Sequence, residues 1–147
     1  MTAVSLKKIL SDANKYNYAV AGLVVLAWDD ALAFTKAADE TGVPIILQAG
    51  PSCRAHTPVP ILGKMFRYLA AQTKAHVCCH IDHGYTFREC AEGIDSGFTS
   101  VMFDGSKLSL KENIKATSKI VKRAHDAKVS VEGEVGFVGY ANGKSSE

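Results

Sequence analysis

The sequence predicts an α/β fold with a parallel sheet, and three observations carry that prediction. Apolar runs of strand length alternate with helix-period segments along the chain. The connections between them are short, as expected for parallel strands joined by right-handed crossovers. Acids and imidazoles end three of the runs, in HVCCHIDHG, FTSVMFDGS and VSVEGEVG, and α/β folds place their chemistry at the carboxyl ends of strands.

A short leading helix is expected over 5–13 and a first strand over 18–26. A helix follows over 28–41, with Asp29 or Asp30 near its amino end and Gly42 as its stop. VPIILQ, over 43–48, is the second strand. AGPSCRAHTPVP is rich in Gly and Pro and reads as a loop before a helix over 61–74. The third strand covers 76–82, and Thr86 with Glu89 fits a capping box for a helix over 86–96. The fourth strand covers 98–104. Ser109 and Glu112 form a second box for a helix reaching residue 127, before a fifth strand over 129–135. YANGKSSE reads as a polar tail. No linker interrupts residues 1–147, which read as a single domain.

A chain of 147 residues can bury one real core. Its 47% hydrophobic and 22% charged content is that of an ordinary soluble globular protein. A net charge of +2 without a basic cluster argues against nucleic acid as a partner. Lys115, Lys119, Lys122 and Arg123 recur at helical spacing and read as a solvated face. MTAVSLKKIL lacks the apolar region of a signal peptide. The longest apolar run, over 19–28, is shorter than the about 20 residues that cross a bilayer. A cytoplasmic protein without membrane association is expected. Cys53, Cys78, Cys79 and Cys90 form no C-x-x-C pair and read as buried reduced thiols.

Strand parity can be followed to the rim. In the fifth strand Val129, Val131 and Val135 share one face, and Ser130, Glu132 and Glu134 the other. His76, Cys78, His80 and Asp82 form a row in the third strand, and Phe98, Ser100, Met102 and Asp104 in the fourth. Buried carboxylates need a partner, and a divalent metal satisfies several at once. Asp82, His83, Asp104 and Glu134 are therefore the candidate site, a metal centre with an acid/base beside it. Gly84 is expected to let the chain turn sharply there. An isolated Asp-His could simply end a strand and cap a helix; two more carboxylates at equivalent strand ends favour the site.

In these three segments the chain resembles the class II, zinc-dependent fructose-bisphosphate/tagatose-bisphosphate aldolases. That family carries H-x-D-H-G, here HIDHG; G-F-x-S-V-M-x-D-x-S, here GFTSVMFDGS; and V-E-x-E-[LV]-G, here VEGEVG. The resemblance runs from about residue 16 to residue 139. It implies a (β/α)8 TIM barrel, of which this chain is the amino-terminal part, a partial barrel of about five parallel strands. It also implies a carbon–carbon lyase of glycolysis-type carbohydrate metabolism that reversibly cleaves a phosphorylated ketose such as fructose- or tagatose-bisphosphate. By resemblance zinc is the cofactor, Asp82 the catalytic acid/base and His83 a zinc ligand. Asp104 and Glu134 correspond to carboxylates holding a second or displaced metal position. Zinc would stabilise the enediolate left by cleavage without a Schiff-base lysine.

The chain departs from the family pattern at three places. Val24 stands where an Asn is frequent, and Ala141 stands about where an acidic residue takes part in proton transfer. Two further zinc-binding histidines and most phosphate-binding loops belong to strands after the fifth. A homo-oligomer, or a partner supplying the rest of the barrel, is therefore expected. The alternative is a truncated, non-catalytic half-barrel acting as an interaction or complementation module. Of the other histidines, His76 and His80 read as interior or network residues, His125 as exposed on a helix and His56 as a loop residue. Glu132 is expected to pair with a basic group, and Gln48 to touch substrate or cap the rim. Arg54 reads as an exposed loop residue in preference to a phosphate contact.

Overall fold

Helix ends are set by local side-chain chemistry at most of the expected places. The computed structural model describes residues 2–136, and these form six helices and five strands. YANGKSSE and Ala141 lie outside the described residues. Ser5 caps α1 (Leu6–Tyr16), its side chain accepting from the Lys8 amide, and Asn17 ends the helix at φ 54°. In front of α2 (Trp28–Thr41), one Asp30 oxygen accepts from the Leu26 and Ala27 amides, each at 3.0 Å. Gly42 stops this helix at φ 69°, a left-handed turn that glycine makes without steric cost. Thr86 caps α5 (Phe87–Asp95), and Ser109 with Glu112 completes a capping box on α6 (Leu110–Asp126).

One segment differs in kind from its expectation. The Gly/Pro-rich stretch holds a short helix, α3 (Pro51–His56), and α4 (Val59–Ala71) begins soon after it. Pro51 and Pro60 sit in first turns, where a proline's fixed φ suits a helix and its missing N–H costs no bond. The prolines start helices here instead of breaking them.

The strands β1 (Ala21–Val24), β2 (Ile45–Ala49), β3 (Val77–Gly84), β4 (Ser100–Phe103) and β5 (Ser130–Gly133) are all parallel. They lie side by side in sequence order. Nowhere does the order reverse, as it would in a doubly wound sheet; this is the wall of a barrel. β1 and β5 are shorter than expected, and among the described residues each pairs on one side only.

One face of the wall packs under the helices. Leu47, Val77, Cys79, Ile81 and Val101 are fully buried there with Leu62, Phe66 and Leu69 of α4 and Ile120 and Ala124 of α6. Phe66 meets Phe98 edge to face, with centroids 5.6 Å apart. Phe98 therefore belongs to the helix side, and the inner row of β4 begins at Ser100. On the opposite face Cys78 packs against Leu6 and Ile9 of α1, so this helix covers the lower inner wall. The Lys7 amide donates to Ser130 Oγ at 3.1 Å across that wall. Val129 and Val131 pack with the helix-side core, as strand parity predicts. All four cysteines are free and buried. Among the described residues no helix is long and apolar enough to cross a membrane.

Candidate active site

His83 reaches the inner rim through a backbone irregularity. Ile81 faces the helices, so an unbroken β3 would send His83 to the same side. The register with β4 instead shifts between Ile81 and Gly84, and His83 has φ 51°, in the left-handed region. Such a bulge re-aims a side chain. Sequence reasoning assigned the sharp turn to Gly84, but His83 makes it. Gly84 is required for space: a Cβ there would lie 2.8 Å from Cys90 Sγ and 3.0 Å from the Met102 carbonyl oxygen.

The re-aimed imidazole meets carboxylates from the next two strands. His83 Nδ1 lies 2.9 Å from Asp104 Oδ2 and 3.6 Å from Glu134 Oε2. One donor atom from each of the three falls within 4.8 Å of the others. The other Asp104 oxygen is held by Ser106, accepting from its amide at 3.0 Å and its hydroxyl at 2.6 Å. Glu134 is steadied from outside the wall, where Asn113 Nδ2 of α6 donates to its carbonyl oxygen at 2.7 Å. Both carboxylates are nearly buried, at 10% and 13% side-chain exposure, and His83 remains 40% exposed.

The electrostatics follow from this grouping. Burial acts to lower the His83 pKa, but the bond to Asp104 and the charges of Asp82, Asp104 and Glu134 outweigh it, so the net shift is upward. Burial acts to raise the Asp104 pKa, yet the bonds from Ser106 and His83 win and hold it below its ordinary value. An imidazole and two carboxylates so close together fit a divalent cation, which would replace the imidazole proton. Asp82 precedes His83, and its Oδ2 would lie 3.5 Å from a Cβ at Gly50. At that distance a Cβ at position 50 would touch the carboxylate without crowding it.

Deeper in the wall, His80 Nδ1 bonds to Ser100 Oγ at 2.9 Å, and His80 Nε2 lies 3.6 Å from Glu132 Oε2. Burial pushes the His80 pKa down to about 4, so this histidine is neutral near pH 7 and the Glu132 contact is no ion pair there. The basic group that Glu132 was expected to meet is His80, although the Glu132 side chain is 48% exposed and not buried. His80 is the network residue expected. His76 is exposed, contrary to its expectation: it precedes β3, and while its carbonyl accepts from the Ile45 amide at 3.1 Å its side chain stays outside the core. His125 is exposed as expected, and His56, on α3, bonds Thr57. Gln48 packs over Gly22, whose added Cβ would lie 3.1 Å from the amide carbon.

Arg54 departs most from its expectation. Its side chain is 7% exposed, and its guanidinium donates to the carbonyls of Ala49, Asp82 and His83. The loop expectation hid this role; only a helix over 51–56 turns Arg54 back under the strand ends. Asn113 was also missed, because an Asn in a polar helix carries no signal of what it will reach.

A sequentially ordered parallel wall with an imidazole and two carboxylates at its carboxyl rim defines an α/β-barrel protein with a rim site suited to a cation. Residues 4–147 match the family model described as fructose-bisphosphate aldolase class-II. The chain is 38% identical over 144 residues to a fructose-bisphosphate aldolase of Staphylococcus epidermidis, covering 95% of this chain and 50% of that protein. It is 35% identical over 130 residues to one from Helicobacter pylori, covering 88% and 42%. It is also similar to the crystal structure of the YdjI aldolase from Escherichia coli K12, with TM-score 0.86, 27% identity and coverage of 93% and 52%. The chain belongs to the class II fructose-bisphosphate aldolase family. It spans about half the length of the curated relatives it matches.

Proposed function

We propose that residues 1–147 form a single domain carrying part of a metal-dependent aldolase site that reversibly cleaves a phosphorylated ketose such as fructose- or tagatose-bisphosphate. The observation that carries this reading is the convergence of His83, Asp104 and Glu134 at the rim of a class II family member. These three residues would hold the cation, with zinc as its identity. The chemistry a bound cation supplies is Lewis-acid stabilisation of the negative charge that develops on the ketose carbonyl.

Asp82 takes the proton from the hydroxyl on the carbon being released. The electron pair of that O–H bond forms the new aldehyde, the carbon–carbon bond breaks, and its electrons move toward the carbonyl. In the synthetic direction Asp82 returns the proton. His83 and Asp104 stay in place because the bulge and Ser106 fix them. The protein would act in the cytoplasm as a homo-oligomer.

The extent of the match favours a second reading, in which this half-barrel lends its rim to a site completed by a further segment or partner. Cobalt titration and an aldol-cleavage assay test both. The first reading expects one cation per chain, its loss in His83→Ala, and turnover reduced about 10²-fold or more in Asp82→Asn with binding intact. Cation binding without turnover supports the second reading. No saturable cation binding by the unaltered protein overturns the metal site in either.

A further inference from the structure

We infer that Arg54 is a positioning residue for Asp82 and His83, holding the carbonyl edge of the β3 bulge so that both side chains stand at the rim. The inference rests on the proposed metal site for its purpose, but its geometry is independent of any ion. A guanidinium 7% exposed must be paired on nearly every side to be tolerated. Arg54 Nη1 donates to the Ala49 and Asp82 carbonyls, and Nη2 donates to the His83 carbonyl at 2.9 Å.

Nη2 also lies 4.0 Å from Glu89 Oε1. Glu89 in turn accepts from the Tyr85 amide and the Thr86 hydroxyl, each at 2.9 Å. One planar fork therefore ties together the end of β2, the end of β3 and the start of α5. Two of the carbonyls it holds, those of Asp82 and His83, flank the left-handed residue. A residue there reverts readily to extended geometry unless its neighbours over-determine it.

A rival role, binding a substrate phosphate, is disfavoured because the donors already point at backbone oxygens. Lysine cannot replace this fork: its donors radiate from a single nitrogen, so it cannot span three carbonyls in one plane.

The test is Arg54→Lys in the full chain, read first without metal by amide hydrogen exchange. The Asp104 amide donates to the Gly84 carbonyl at 2.9 Å just beyond the bulge, and the Thr99 amide donates to the Cys79 carbonyl at 2.9 Å deeper in the same strand pair. Loss of the fork is expected to speed exchange at Asp104 about tenfold or more while Thr99 is unchanged. Cobalt affinity is expected to fall about 10- to 100-fold with the circular dichroism spectrum retained. Guanidinium ion added to Arg54→Ala is expected to restore part of that affinity.

Unchanged exchange at Asp104 overturns the inference. So does equal acceleration at Asp104 and Thr99, or loss of fold in both variants, since Arg54 would then be a general fold residue. If the unaltered protein binds no cobalt, the metal site fails alone, and the exchange result still decides the role of Arg54.

Discussion

Asn113 on α6 donates its side-chain amide to the Glu134 carbonyl at 2.7 Å, so a helix outside the wall fixes the strand end that carries an inner carboxylate. Asn113 is buried, at 6% exposure, and its Oδ1 accepts from Thr117 at 3.0 Å. Asn113→Ala leaves the Glu134 carbonyl without this donor, and a loss of about 1–3 kcal/mol in urea unfolding is expected. Cobalt affinity should fall with it. Stability lost with cation affinity unchanged would show that the bond serves folding only.

Gly84 and Gly133 give opposite expectations for the same change. A methyl at Gly84 meets Cys90 Sγ at 2.8 Å and a backbone oxygen at 3.0 Å, whereas one at Gly133 meets Thr117 at an ordinary 3.5 Å. Gly84→Ala is expected to cost about 1–3 kcal/mol. Gly133→Ala should change stability by about 0.5 kcal/mol or less. Paired denaturant titrations of the two variants check this contrast.

His80 makes stability depend on pH in a definite direction. Its folded pKa of about 4 lies below the ordinary 6.5, so between these values the unfolded chain binds a proton that the folded chain does not. Stability is therefore full above pH 6.5 and falls as pH drops, by at most about 1.4 kcal/mol per unit. Burial raises the Glu132 pKa, which acts with the opposite sign, because the folded protein then takes up that proton first. His80→Gln should flatten the metal-free profile between pH 4 and 6.5, and Glu132→Gln should steepen it. A His80→Gln profile parallel to that of the unaltered protein would refute the assignment.

Ser109 closes a full capping box with Glu112, its hydroxyl donating to the carboxylate at 2.6 Å. Ser109→Ala is expected to cost about 1 kcal/mol. The loss should appear in thermal unfolding with no change in cation affinity, since α6 reaches the rim through Asn113 and not through its cap.

Much of the wall was legible because the signals are local and periodic. The alternation of Ser130 and Glu132 with Val129 and Val131 foretold which face each would take, and Ser109 with Glu112 marked a helix start to the residue. The rim carbonyl clamp was not legible. Arg54 reads as exposed because the Gly/Pro-rich stretch around it reads as a loop, and its partners are backbone oxygens up to 29 residues away that no side-chain pattern encodes. The bulge was hidden too, since the sequence names a glycine and the left-handed turn falls on the histidine before it. Strand parity puts Asp104 and Glu134 on the inner face, and His83 meets them there by breaking parity.

That break makes the length of β3 a matter of phase. Removing or inserting one residue between His80 and Gly84 would not merely shorten a ligand's reach; it would exchange the inward and outward occupants of the rim, carrying the imidazole into the helix layer. A point substitution within the strand changes a side chain without changing the residue count that sets this phase. Drift in this segment should therefore tolerate changes of residue type far better than changes of spacing, and the HIDHG interval behaves as a ruler whose unit is one peptide.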